Sequence, residues 1–171
     1  MPNDEPEPNS ISIISLTPDK WETYRDIRLK GLLEDPQAFA RSYKEEVAFP
    51  QEKWLQRASS PYGFMAFKND IPLGTMGAFI SGEPDNKVAN IVGAFVSKDA
   101  RRKGVGSKLL KAVLDKIKQE SSVKTVKLSV NKSQTPAIEL YEKFGFRIIG
   151  EKTQKMGDGK EHTEYLMELT L

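Results

Sequence analysis

Arg101-Arg102-Lys103-Gly104-Val105-Gly106 stands between two stretches of different period. Before it, residues 87–96 form a largely apolar run of strand type that ends in Ala94-Phe95-Val96. After it, Val105, Leu109, Val113 and Ile117 recur at four-residue spacing, and Leu110 and Leu114 widen the stripe. That period predicts a helix over about 104–119. Residues 123–130 then alternate, with Val126, Leu128 and Val130 set against lysines, and read as a strand. Strand, helix and strand in this order make a β-α-β crossover, expected to be parallel and right-handed. The quoted hexapeptide is the entry to the crossover helix.

Outward from this unit the pattern changes. Residues 63–68, 71–80 and 87–96 are three strand-like runs. Asn69-Asp70 joins the first two, and a loop over 81–86 containing Gly82, Pro84 and Asp85 joins the last two, which predicts an antiparallel meander. Residues 10–16 alternate isoleucine with serine and read as a first strand. Thr17 is expected to cap a helix that has Pro18 at its first position and ends near Leu33, before Asp35-Pro36. Further helices are expected over 36–46 and 50–59, with Phe39 and Trp54 as core anchors. Beyond the crossover, Thr135-Pro136 opens a helix that Gly145 closes. Two last strands, 146–152 and 162–171, flank the turn Gly157-Asp158-Gly159. The expected class is α/β, a mixed, mostly antiparallel sheet with one parallel pair and flanking helices. One domain over 11–171 follows a disordered lead-in over 1–10.

Composition narrows the chemistry. The 171 residues contain no cysteine and one histidine, His162. A thiolate metal site, a disulfide, a cysteine nucleophile and a multi-histidine metal site are thereby excluded, and no metal is expected. The longest apolar stretch falls far short of the ~20 residues that a membrane span needs. The amino terminus holds three prolines and three acids in its first ten residues, unlike a secretory signal. The expected compartment is the cytoplasm, with neither membrane nor nucleic acid as partner.

The net charge of +2 hides an asymmetry. Residues 98–132 carry eleven Lys or Arg against three acids, a net +8, and the remainder carries −6. A solvated lysine-rich helix face is one explanation, and a polyanion site is the other. The backbone favours the second. The first turn of a helix leaves N–H groups unpaired and carries positive potential. Gly104 and Gly106 remove the Cβ atoms that would keep a phosphate from those groups, while Arg101, Arg102 and Lys103 add charge and Ser107 a hydroxyl. A Walker A loop is not matched at Gly106-Ser107-Lys108-Leu109, and a dinucleotide fingerprint would need glycine where Leu109 stands.

The remaining pattern, Arg/Gln-x-x-Gly-x-Gly/Ala at the start of a crossover helix, resembles the acetyl-CoA loop of the GNAT superfamily of N-acetyltransferases, with Arg101, Gly104 and Gly106 in its fixed positions. A second motif agrees. The family's Asn-x-x-Ala-x-x-Leu-Tyr-x-x-x-Gly-Phe is matched from Ala137 through Leu140, Tyr141 and Gly145 to Phe146, with Gln134 in place of the usual Asn. The resemblance covers about 11–171 and is strongest from 91 to 146.

The resemblance implies a pair of strands splayed at a bulge, with the pantetheine arm of acetyl-CoA between them. It places backbone groups of Ala94, Phe95 and Val96 on that arm, the pyrophosphate on Arg101, Arg102, Lys103, Gly104, Val105, Gly106 and Ser107, and the side chain of Gln134 nearby. It makes Tyr141 the general acid for the leaving thiolate; by periodicity alone Tyr141 reads as core. It implies an N-acetyltransferase that moves acetyl from acetyl-CoA to a primary amine of a small molecule or peptide in a ternary complex. The partners are then acetyl-CoA and an amine acceptor, with a homodimer allowed. The alternative is a non-catalytic acyl-CoA or RNA-binding domain that uses the basic segment 98–132. The general base is left open among Asn90, Glu45, Glu46, Glu83, Asp85 and water, and the acceptor among a polyamine, an amino acid, an aminoglycoside-like compound and a protein amino terminus. His162 reads as a rim residue of the last hairpin.

Overall fold

The structure is a computed structural model and describes Glu7 and residues 9–171. Most of the expected lead-in, 1–6 and 8, lies outside the described residues. Seven strands form one sheet: β1 (Ser12–Ser15), β2 (Phe64–Lys68), β3 (Ile71–Glu83), β4 (Asn86–Val96), β5 (Val123–Asn131), β6 (Arg147–Lys155) and β7 (Glu161–Thr170), in the order β1-β2-β3-β4-β5-β7-β6. All neighbours are antiparallel except β4 and β5. This is the expected mixed sheet with its one parallel pair. Asn69 and Asp70 make the β2–β3 turn with φ of 48° and 63°. The expected loop over 81–86 is shorter, because β3 runs on to Glu83 and only Pro84 and Asp85 lie between the strands.

Among the described residues five helices flank the sheet: α1 (Trp21–Glu34), α2 (Tyr43–Val47), α3 (Gln51–Ala58), α4 (Val105–Ile117) and α5 (Thr135–Lys143). Alternation along the strands divides their side chains between two cores. Ala66, Met76, Val126, Val130 and Met167 pack with the apolar stripe of α4, whose six residues Val105, Leu109, Leu110, Val113, Leu114 and Ile117 are all buried. Met65 and Phe95 face the other way and pack with Ile27 and Leu32 of α1 and with Phe39. Burying such stripes is the main driving force of the fold, at ~25 cal/mol per Å² of apolar surface.

Two early expectations need correction. Thr17 makes no capping bond, and Pro18–Lys20 is a 3-10 turn that precedes α1. The helix expected over 36–46 is broken. Pro36–Ala38 is a 3-10 turn, Phe39 is extended, and a separate helix starts after Ser42. Ser42 and Glu45 form a reciprocal capping box, in which the Glu45 N–H donates to Ser42 Oγ and the Ser42 N–H to Glu45 Oε2. Those bonds satisfy orphan donors at a fresh helix start and stop the preceding turn from propagating.

Candidate functional site

The parallel pair is joined only at its beginning. Lys87–Asn90 of β4 pairs with residues 123–127 of β5, and from Ile91 onward β4 has no partner on that side. Its other edge stays paired to β3, with an extra residue: Thr75 faces Phe95 and Gly77 faces Val92, so Met76 opposes both Gly93 and Ala94. Gly93 takes φ +64°, which a residue without Cβ adopts at little cost. The bulge turns Ala94–Val96 away from β5 and leaves a gap between the strands.

Each side chain at this gap has a place. The Phe95 ring is buried against Gly31, where a Cβ would come within 2.9 Å of it, so only the Phe95 backbone is left for a ligand. Ala94 and Val96 point toward the α4 side. The turn Lys98–Ala100 leads to Arg101. Arg101 is exposed, yet both ends of its guanidinium are tethered to the protein. Its Nε donates to the Val96 carbonyl at 3.0 Å, and its Nη2 to Asp35. Arg102 is exposed with φ +62°, and Lys103 donates to the Asp99 carbonyl at 3.1 Å.

Gly104 is the N-cap of α4 at φ +80°, and nothing lies within 4 Å of where its Cβ would stand. Gly106 serves packing: an added Cβ would sit 3.2 Å from Leu140 Cδ2 of α5. No side chain caps α4, so its first N–H groups are left without a side-chain partner, and the helix start adjoins the gap where a Cβ on Gly106 would lie 3.9 Å from Val96 Cγ2. Val105 is buried and contributes backbone, while Ser107 is half-buried. An anionic diphosphate fits this place sterically and electrostatically.

Gln134 is the N-cap of α5, and its side chain makes no cap bond. Tyr141 is 6% exposed and stands edge-on to Phe146, centroids 5.9 Å apart. The end of α5 explains that pairing. Phe146 N–H donates to the Tyr141 carbonyl and Gly145 N–H to that of Glu142, a Schellman closure. Burial pushes the Tyr141 phenol up to about 12.

The acid candidates are disposed of differently. Glu45 is spent in its capping box, and the bonds from Ser42 hold its carboxyl below the ordinary range. Glu46 is fully buried between two guanidiniums: Arg28 donates from Nε and Nη2 and Arg57 from both Nη atoms. Glu83 and Asp85 are exposed at the far end of the β3–β4 hairpin. Asn90 donates to Ser81 Oγ at 3.0 Å and lines the gap. His162 is bonded to Asp158 at 2.7 Å beside the last turn.

Opposite α4 and α5, the gap opens into a cleft of about 550 Å³ between β4, β5 and the β6–β7 hairpin. Its wall includes residues 38–41, which the sequence suggested only as part of a helix with Phe39 in the core. The Gly157 N–H donates to the Phe39 carbonyl at 2.7 Å, and Asn131, itself buried, donates to the Gln37 carbonyl at 3.1 Å. These bonds tie the segment to the turn before β7 and to the end of β5; Glu164, buried and bonded to Gln154 of β6, lines the same cleft and was not singled out from the sequence. Along 162–171 the apolar residues Tyr165, Met167, Leu169 and Leu171 alternate on one face, and nothing in the pattern marks the opposite face as covered. Among the described residues no group of three metal-ligating side chains occurs, and no helix is long and apolar enough to cross a membrane.

Comparison with known proteins agrees with this geometry. An N-alpha-acetyltransferase from Sulfurisphaera tokodaii is 34% identical over 85 residues, 50% of each chain. N-alpha-acetyltransferase 50 from Danio rerio is 32% identical over 88 residues, 52% of each. The chain thus spans about half the length of the curated relatives it matches. Among solved structures, Salmonella typhimurium yncA with its cofactor acetyl-CoA superposes with a TM-score of 0.75 at 14% identity, over 95% of this chain and 94% of that one. The sequence profile of the Acetyltransferase (GNAT) family matches residues 21–146, a span that holds the bulge, the glycine turn and the Tyr141 helix. On that match the chain belongs to the GNAT acetyltransferase family.

Proposed function

We propose that the chain transfers an acetyl group from acetyl-CoA to a primary amine, directly, while both are bound. The observation that carries this reading is the juxtaposition of an open, glycine-capped start of α4 with the gap that the Gly93 bulge leaves between β4 and β5. The family match and the two relatives named as N-alpha-acetyltransferases support it.

Bound acetyl-CoA supplies an activated thioester. The backbone N–H groups of Gly104, Val105, Gly106 and Ser107 bind the diphosphate, with Arg102 and Lys103 adding positive potential. Arg101 acts from behind: its bonds to Asp35 and Val96 hold the turn in position. The free edge at Ala94, Phe95 and Val96 and the amide of Gln134 orient the pantetheine arm. Tyr141 holds a proton at its Oη near the sulfur. With a phenol pushed up to about 12, it is a donor throughout the working pH range. Complete transfer to a thiolate of pKa ~8.5 is uphill, so Tyr141 keeps its proton and stabilises the departing sulfur by a donated hydrogen bond, while the proton that the attacking nitrogen loses neutralises the released thiolate.

Transfer is direct because no cysteine exists to carry acetyl, and among the described residues no serine is hydrogen-bonded to His162, whose partner is Asp158. The test is initial-rate kinetics with acetyl-CoA and an amine panel, read as free thiol and as acetylated product. Intersecting double-reciprocal lines are expected. Parallel lines, or no acetylated product with any amine, would overturn the reading.

A further inference from the structure

The charge of the acceptor cleft is lopsided. Its ionisable lining is Arg28, Arg41, Arg57, Lys127 and Lys152 against one acid, Glu164. The partners of these cations leave a surplus. Arg28 and Arg57 share the single carboxylate of Glu46. Lys127 reaches Glu168, outside the cleft lining, at 3.7 Å, and Lys152 reaches Glu164 at 3.7 Å. Arg41 stacks over the Phe49 ring and has no carboxylate within 4 Å among the described residues.

Arg28 is the most constrained. Its side chain is 12% exposed and lies over Phe39, and two of its nitrogens are taken by Glu46. Its Nη1 remains, 3.6 Å from where a Cβ on Gly93 would stand. A guanidinium edge is therefore presented at the bulge itself. Glu164 is held as firmly: its side chain is 5% exposed, and Gln154 Nε2 donates to Oε2 at 2.7 Å.

We propose that this cleft takes a primary amine that carries an anionic group close to the amine, with Arg28 and Arg41 holding the anion and Glu164 meeting the amine. Free amino acids and the amino ends of acidic peptides share that chemistry. Polycations such as polyamines and aminoglycosides meet a surplus of like charge, which opposes their entry. A volume of about 550 Å³ suits either anionic source, since pockets for ligands of this class run ~300–1,000 Å³. The proposal rests on the acetyl-transfer reading, and the experiment separates the two.

The full-length protein is given acetyl-CoA and glutamate, aspartate, a short peptide with acidic second and third residues, its lysine counterpart, spermidine or kanamycin. Thiol release gives kcat/KM, and calorimetry gives acetyl-CoA binding independently. The expected result is kcat/KM at least about tenfold higher for an anionic acceptor than for every cationic one. Whether the free amino acids or the acidic peptide lead identifies the source. Arg41→Glu, an exposed position, should lower the anionic acceptor's kcat/KM by about tenfold and leave acetyl-CoA affinity unchanged. Glu164→Gln should raise the acceptor's KM. Spermidine or kanamycin as the better acceptor, or an Arg41→Glu enzyme with unaltered selectivity, would overturn the inference and leave the acetyl-transfer reading standing. Absence of acetyl-CoA binding would remove both.

Discussion

Arg101 and Asp35, 66 residues apart, close an ion pair that ties the turn entering α4 to the end of α1. The same guanidinium donates to the Val96 carbonyl, so three segments meet at one side chain: the end of α1, the free edge of β4 and the glycine turn. The arginine that opens the glycine motif thus sets the loop's position, and its exposed neighbours face solvent.

Loss of this pair should act on the loop through its anchor. Arg101→Ala and Asp35→Ala are each expected to lower the melting temperature, and the double variant should fall short of the sum, as for two groups in direct contact. Acetyl-CoA affinity in Arg101→Ala should stay within a few-fold. Additive melting shifts would contradict the anchoring pair, and an affinity loss beyond tenfold would show that Arg101 works mainly on the ligand.

Glu46 holds the α1–α3 side together. Burial by itself would raise its pKa, but the bonds from Arg28 and Arg57 outweigh this and leave it below the ordinary glutamate value. A lowered folded pKa means that the triad stabilises fully above about pH 4.3 and that this contribution fades as pH falls further. Glu46→Ala leaves two guanidiniums uncompensated, at a cost of ~3 kcal/mol. The melting temperature near neutral pH should then drop by roughly 6–12 °C. Melting curves from pH 7 to pH 3 should show the gap between wild type and variant narrowing on the acid side. A constant gap would contradict the account.

Much of this was legible in the sequence for identifiable reasons. The stripe Val105–Ile117 and the alternation around Val126 carry their period locally, so the crossover and its parallel pair could be read directly. Gly104 and Gly106 also stood out, because two glycines beside three cations at a helix start suit a phosphate. What could not be read depends on contacts distant in the chain. The break at Phe39–Ser42 follows from a capping box and from docking on Gly157, while Pro36 and the apolar spacing suggested one helix. The Arg101–Asp35 pair could not be read either, because Asp35 lies outside any window around the glycine turn. Glu164 is buried and bonded to Gln154 across the β6–β7 pair, a contact that no pattern within one strand reports.

Tyr141→Phe keeps the ring against Phe146 and removes the proton donor. Single-turnover rates should fall ~10²–10⁴-fold, with acetyl-CoA affinity within a few-fold. Because burial pushes the phenol up to about 12, its ionisation should produce no alkaline decline below about pH 11. A near-normal single-turnover rate in a folded variant would return Tyr141 to the core alone.

The account turns on the start of α4 as the seat of acetyl-CoA, and calorimetric titration with acetyl-CoA tests that most directly. The wild type should bind one equivalent, with an affinity that weakens as salt is added. The double variant Arg102→Glu/Lys103→Glu, altered only at exposed positions, should bind more than tenfold more weakly at unchanged melting temperature. Equal affinity in both proteins, or tight RNA binding in a protein that gives no heat with acetyl-CoA, would contradict it.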